Sequence, residues 1–257
     1  MTLQALIFDV DGTLADTERD GHRPAFNQAF ADAGLDWHWD VALYGKLLSV
    51  TGGKERITHY IDHYRPDYSK PDDFQKMVAK IHQNKTLHYT QGAASGGIPM
   101  RQGVKRLLTD ARAAGLRLAI ATTTTPENVD VLLEHSLGAG TQNWFEVIAA
   151  GDIVPSKKPA PDIYIYALEK MSLNASDCLA FEDSENGLRS ALGAGLTTLV
   201  TVNDYTLEHD FTGAAAVLTA LGEPDVPNQR LAGLELKRGY VDVAYLKMLR
   251  MLRHQKP

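Results

Sequence analysis

The stretch FDVDGTLADTE, residues 8–18, decides how this chain is read. Phe8 closes a short apolar run, LQALIF at residues 3–8, and Asp9 ends it. Asp11 follows one residue later, then Gly12-Thr13, then further acid at Asp16 and Glu18. A run this short, apolar throughout and stopped by Asp, reads as a strand buried on both faces. In open α/β sheets, sites form just beyond the carboxyl ends of such strands. Two neighbouring carboxylates raise one another's pKa unless a cation or a proton lies between them, and Mg²⁺ takes such oxygen ligands. Taken alone, Asp-Gly serves equally well as a polar turn. A calcium loop of the EF-hand type is excluded, because it needs glycine at its sixth position and Gly12 stands fourth from Asp9.

Further short apolar runs recur along the chain: LRLAIAT (116–122), FEVIAA (145–150), CLAFED (178–183) and LTTLVTV (196–202). Helical patterns lie between them at 103–115, 126–138, 162–171 and 186–195. Strand-helix alternation predicts an α/β protein, a Rossmann-like doubly wound parallel sheet. Residues 17–95 differ. Apolar positions there recur at helical spacing (Ala25, Phe26, Ala29, Phe30; Ile57, Tyr60, Ile61, Tyr64; Phe74, Met77, Val78, Ile81) with polar turns between. We expect an all-helical insert at 17–95 within a core formed by 1–16 and 96–257, with QGAASGG (91–97) as a flexible return linker. A helical tail from about 223 is expected to pack through Val241, Ala244, Tyr245, Met248, Leu249 and Leu252.

Totals narrow the partners. Against 26 Lys and Arg stand 32 Asp and Glu, a formal net charge of −6, so electrostatics favour neither nucleic acid nor an anionic membrane. The single cysteine, Cys178, allows no internal disulfide. No apolar run is long enough to span a bilayer, and MTLQALIFD lacks a signal-peptide pattern. We expect a soluble monomer, cytoplasmic or, after loss of a transit peptide, in a plastid stroma. His59 and His63 stand four apart, but Tyr60 occupies the place of the glutamate in a zinc-peptidase helix.

Three later features sit at strand ends or helix entries. Thr122 ends one apolar run, and its hydroxyl is suited to a phosphate oxygen. SKKPAPD (156–162) puts Lys157 and Lys158 in a loop entering a helix, where a lysine acts as a compact countercharge to phosphate. FEDSENG (181–187) ends a run in Glu182 and Asp183, with Asp183 or Ser184 as cap of the next helix. A fourth feature, Thr125-Pro126-Glu127, reads as N-cap, N1 proline and first-turn acid, and helix N-termini bind anions. With Thr123 and Thr124 before it, and Gly52, Gly53, Lys54 and Arg56 in SVTGGKERI (49–57), it suggests a grip for a second phosphate.

DVDGT, Thr122, Lys158 before Pro-x-Pro, and EDSEN, in that order, resemble the four motifs of the haloacid dehalogenase superfamily, over essentially the whole core. The helical insert resembles the C1 cap of its subgroup I. DTERDGHRPAFNQAF, WDVALYGKLLSVTGGKERI, IATTTTPENV and AGDIVPSKKPAPDIY are similar to the CbbY-type branch. The resemblance implies a Mg²⁺-dependent phosphatase working through an aspartyl-phosphate. By it Asp9 is the nucleophile, Asp11 the general acid and base, and Thr122 and Lys158 the holders of the phosphoryl oxygens. Asp9, the Asp11 carbonyl, Asp183 and Glu182 would bind the metal. Glu18, His22, Gly53, Lys54, Arg56, Thr123, Thr124 and Asn186 would contact a sugar bisphosphate, xylulose 1,5-bisphosphate. The rivals are a β-phosphoglucomutase, a phosphoglycolate or other sugar-phosphate phosphatase, and a non-catalytic phospho-ligand binder. Gln102 departs from the proline common in relatives at that point.

Overall fold

β1 (Ala5–Phe8) is an interior strand, third from one edge of a seven-stranded sheet. Every residue of it is buried, because helices cover both faces. β2 (Arg117–Ala121) and β3 (Val147–Ala149) extend the sheet on one side. β4 (Cys178–Glu182), β5 (Thr197–Thr201), β6 (Ala216–Leu218) and β7 (Arg230–Gly233) extend it on the other, in the order β3-β2-β1-β4-β5-β6-β7. All pairs are parallel except β6–β7. Ile7 faces Ala119 on one neighbour and Ala180 on the other, so β1, β2 and β4 end level with one another. The computed structural model describes residues 2–96 and 98–253.

Four helices occupy the insert: α1 (Arg23–Asp32), α2 (Val41–Leu47), α3 (Gly53–Tyr64) and α4 (Phe74–Ala94). They close around rings. Phe26, Phe30, Trp37, Trp39, Tyr44 and Tyr60 are buried together, with Trp39 centroids 4.7 Å from Phe26 and 4.8 Å from Phe30. The sheet helices are α5 (Val104–Ala113), α6 (Pro126–Leu137), α7 (Asp162–Met171), α8 (Glu185–Gly193) and α9 (Val243–Arg253). Their core is mostly aliphatic on both sheet faces, with Phe8 and Phe181 stacked on one and Tyr164 on the other, where Cys178 is also buried, its thiol pushed up to about 12, chiefly by burial.

Four expectations need revision. Residues 91–94 are the last turn of α4, not linker, because Tyr89 and Ala93 bury against the sheet core; Gly97 lies outside the described residues. β6 was not foreseen, since three residues carry too little pattern. β7 was not foreseen either, since all four of its residues are exposed. In the tail, Val241, Tyr245, Leu246 and Leu249 are buried, whereas Ala244 and Met248 face outward; the Leu252 side chain lies outside the described residues. The face is one residue rotated from the expected stripe.

Candidate active site

Two strand ends bring the acids together. β1 releases Asp9 and β4 releases Glu182 and Asp183, all buried, with carboxylate oxygens within 4.8 Å of one another. Ser184 accepts from the Gly187 amide at 3.2 Å as the cap of α8, which leaves Asp183 for the site. Asp183 is steadied by Asn203 Nδ2 at 2.8 Å. Gly12 adopts φ 82, and a Cβ there would overlap the Asp183 carboxylate and come within 2.7 Å of Asn203. The turn after β1 therefore requires glycine on two counts.

Lys158 is the one cation inside this cluster among the described residues. Its Nζ donates to Asp9 Oδ1 at 2.7 Å and to Glu182 Oε1 at 2.6 Å. The Tyr164 hydroxyl donates to the same Glu182 oxygen, and Thr13 donates to Asp9 Oδ2 at 3.3 Å. Burial would pull the lysine pKa down, but Asp9 and Glu182 outweigh it and raise it, so the ammonium stays charged. Three carboxylates still face one ammonium. Burial, against the pull of Lys158 and with Glu182 and Asp11 adding repulsion, raises Asp9 to about 7. Burial, Asp9 and Glu182 lift Asp183 well above the ordinary carboxylate range.

Asp11 is held differently. Its Oδ1 accepts from Thr17 Oγ1 at 2.5 Å and lies 2.9 Å from His22 Nε2. His22 Nδ1 in turn lies 2.8 Å from the buried ammonium of Lys85. Burial alone would raise Asp11; the His22 charge and hydrogen bond, Thr17 and Lys85 overcome it and hold the carboxyl at about 2. Burial pulls Lys85 down to about 8 despite the attraction of Asp11 and Glu18. His22 and Glu18 are carried on a π-helical turn, Glu18–His22, that runs straight into α1. Such one-turn widenings recur at functional sites because they re-aim side chains without ending the helix.

A cavity of about 270 Å³ opens above the carboxylates. Asp9, Asp11, Lys158, Glu182 and Asp183 form its floor, Glu18 and Arg56 its roof, and Thr123 and Asn186 its sides. Arg56 is buried, donates to the Tyr44 hydroxyl at 2.9 Å and lies 3.8 Å from Glu18 Oε2, while Tyr44 donates to the same glutamate oxygen at 2.5 Å. Asn186 Nδ2 reaches across to Ser49 O at 3.1 Å and Thr51 Oγ1 at 3.3 Å, tying α8 to the loop before α3. A smaller space of about 40 Å³ adjoins, lined by His22, Gly53, Arg56, His82, Lys85, Thr123 and Thr124 among others.

Two expected residues stand elsewhere. Lys54 pairs with Asp152 at 2.6 Å on the outer seam, its side chain 40% exposed, and lines neither cavity. Asp152 also takes Lys157 at 2.9 Å, and Lys157 takes Glu55 at 3.1 Å. Thr122 is buried behind the floor, its Oγ1 accepting from Thr124 N at 3.3 Å, while Thr123 faces the cavity. Lys85, His82, Tyr44 and Asn203 were not foreseen. Lys85 had a signal, since it falls on the stripe Val78, Ile81, Lys85, Tyr89 that α4 buries.

The residues fit a hard divalent cation. Glu182 Oε2 is buried with no hydrogen-bond partner, and it faces a cluster whose acids outnumber its lone ammonium. An all-oxygen donor set of carboxylates suits Mg²⁺.

A family model for haloacid dehalogenase-like hydrolases matches residues 3–195. The chain belongs to the haloacid dehalogenase-like hydrolase family, and within it is a phosphatase. Its kinship is with the CbbY proteins. It is 50% identical over 225 residues to protein CbbY from a plasmid of Cupriavidus necator, covering 88% of each chain. A mutant CbbY from Rhodobacter sphaeroides, solved in complex with xylulose 1,5-bisphosphate, is 44% identical with a TM-score of 0.80, covering 92% of this chain and 100% of that one. β-Phosphoglucomutase from Clostridium difficile has a TM-score of 0.73 at 18% identity over 99% of this chain and 100% of its own, a likeness of fold alone.

Proposed function

We propose that the chain hydrolyses the phosphate ester of a sugar bisphosphate, xylulose 1,5-bisphosphate, through an aspartyl-phosphate on Asp9. The observation that carries the reading is the opposite setting of two adjacent carboxyls. Asp9 lies on Lys158 among acids, whereas Asp11 is wired through His22 to Lys85. A relative solved with that sugar bisphosphate supports the choice of substrate.

Asp9 attacks phosphorus, and the bond from phosphorus to the sugar oxygen breaks. Asp11, ionised at rest, passes to the departing oxygen a proton drawn through His22 from the Lys85 ammonium, and the water that attacks the acyl phosphate returns a proton to Asp11 and back along the same route. Inorganic phosphate leaves and the Asp9 carboxylate is regenerated. Lys158 holds one phosphoryl oxygen while staying charged. Mg²⁺ would be held by Asp9, the Asp11 carbonyl, Asp183 and Glu182, and when bound it supplies neutralising charge for phosphoryl transfer. The helical insert acts as a cap that roofs the reaction and excludes bulk water. Glu18 is set to accept from sugar hydroxyls, and Arg56 is set toward phosphate.

The test is steady-state phosphate release with Mg²⁺ on xylulose 1,5-bisphosphate, ribulose 1,5-bisphosphate, fructose 1,6-bisphosphate, β-glucose 1-phosphate and phosphoglycolate. A preference in kcat/KM for xylulose 1,5-bisphosphate is expected. Isomer interconversion without net phosphate release would overturn the reading.

A further inference from the structure

A cation beside the site is left unused by hydrolysis at Asp9. Arg101 stands where the chain returns from the helical insert, and its side chain is 8% exposed. The two connections between sheet and insert run side by side here. Ala15 on the outgoing connection bridges Met100 on the returning one, and Arg101 N donates to Leu14 O at 2.8 Å. From this point the side chain reaches the turn that carries the catalytic acids. Its Nη1 donates to Gly12 O, to Thr201 O at 3.0 Å and to Thr201 Oγ1 at 3.1 Å. Its Nη2 donates to Val202 O at 2.5 Å and to Thr219 O at 3.1 Å. Nε lies 3.2 Å from Asp16 Oδ1, just before the π-helical turn that carries Glu18 and His22. One guanidinium thus joins the exits of β1, β5 and β6 to the outgoing connection.

The carbonyls it gathers belong to the neighbours of the acids. Gly12 is next to Asp11, and Val202 is next to Asn203, whose Nδ2 steadies Asp183 at 2.8 Å. A Cβ on Gly12 would overlap the Asp183 carboxylate and come within 2.7 Å of Asn203 Nδ2, so the backbone that Arg101 grips packs directly on that pair. Drawing Gly12 O and Val202 O onto one guanidinium sets the turn of Asp9 and Asp11 against Asp183 and Asn203. Two forked amino groups serve different strand exits at once, a task that the single ammonium of a lysine does not match. Arg101 lines no part of the main cavity, so any effect it has on the reaction passes through the residues it holds.

We propose that Arg101 is a positioning residue for phosphoryl transfer, which fixes the Asp9–Asp11 turn against Asp183 and thereby sets how tightly the acids take Mg²⁺. The inference rests on the reading of the site as a Mg²⁺-dependent phosphatase and adds a residue outside the cavity that governs it.

Arg101→Lys and Arg101→Ala test it with p-nitrophenyl phosphate as substrate. Residues that hold metal ligands in place change metal affinity or activity by about tenfold to a hundredfold when replaced, so kcat at saturating Mg²⁺ should fall about tenfold in Arg101→Lys and about a hundredfold in Arg101→Ala, with KM within about threefold of the parent. Calorimetry of Mg²⁺ on the substrate-free proteins should show its Kd raised about tenfold in Arg101→Ala. Millimolar guanidinium, far below denaturing strength, should restore part of both properties in Arg101→Ala, and urea at the same concentration should restore neither. Should Arg101→Ala fail to fold, kcat and the Mg²⁺ Kd of Arg101→Lys decide the matter. A lower melting temperature with kcat and Kd both within about twofold of the parent overturns the inference and leaves Arg101 a residue of stability alone. A rise in KM without loss of kcat overturns it as well. A parent that neither binds Mg²⁺ nor needs it for phosphate release defeats the metal reading, and this inference with it. Neither readout uses the sugar bisphosphate, so failure of that substrate is told apart from failure of this inference.

Discussion

The floor of the site and its roof are built on different physics. The floor takes its residues from the ends of β1 and β4, whose backbones pair in register, so Asp9 and Glu182 are placed by the sheet itself. The roof takes Glu18, Arg56, His82 and Lys85 from helices packed through an aromatic cluster of Phe26, Phe30, Trp37 and Trp39. Strand ends fix short acids to within a fraction of a residue. Helix surfaces carry longer side chains whose positions depend on how rings interlock. On the proposed reading the reacting bond belongs to the sheet ends and the choice of substrate to the helical insert.

Breaking the floor should give the largest effect. Asp9→Asn is expected to lower phosphate release by about 10⁴-fold or more, as loss of a nucleophile does, with the melting temperature kept within a few degrees of the parent. Substantial activity in that variant would remove the nucleophile from the scheme. Lys85→Met strikes the roof where it reaches down to the floor. Through His22 it should lower kcat on every substrate by about 10²-fold, the low end for disturbed acid-base catalysis. A change in KM alone would make Lys85 a binding residue only.

Trp39→Ala tests whether the roof stands on its rings. Removing a fully buried indole is expected to cost about 3–5 kcal/mol. Chemical denaturation should then show the insert loosening ahead of the sheet. A single transition, shifted as a whole, would mean that floor and roof unfold as one. Acid titration offers a finer contrast. His82 sits at about 3 when folded against 6.5 as its ordinary value. The unfolded chain therefore binds the extra proton first, and stability present above 6.5 drains away as pH falls toward 3. His82→Gln should flatten that slope, read from melting temperatures between pH 7 and 4. Lys54→Ala should matter least. An exposed pair such as Lys54–Asp152 contributes about 1 kcal/mol or less. We expect under threefold change in kcat/KM on the bisphosphate. A loss as steep as that of Arg56→Ala would show that Lys54 turns inward when substrate binds.

The floor was open to reading from sequence, and the roof much less so. β1 to β5 announce themselves as short runs nearly free of charge, and Asp9, Glu182 and Asp183 stand where the runs of β1 and β4 stop. The motifs are local, so Asp9, Asp11, Lys158 and Asp183 could be picked out before any geometry. Lys85 and His82 meet the cavity only because α4 folds back beside α6 and the π-helical turn, and no local spacing encodes that meeting. Lys54 misled for the same reason: sequence puts it two residues from Arg56, yet successive positions on a helix point to different sides. α2 had a readable start in Asp40, which accepts from Leu43 N at 2.8 Å as its cap.

Cys178 has a practical consequence. It is fully buried in β4 with a thiol that resists ionisation, so alkylating reagents at neutral pH should pass over the native protein. The chain thus provides its own silent background for labelling. A cysteine placed at Leu87 on the roof and another at Ile165 on the sheet side, both exposed in the native fold, would be the only reactive thiols. Paired dyes or spin labels there would report the separation of the two parts through a catalytic cycle.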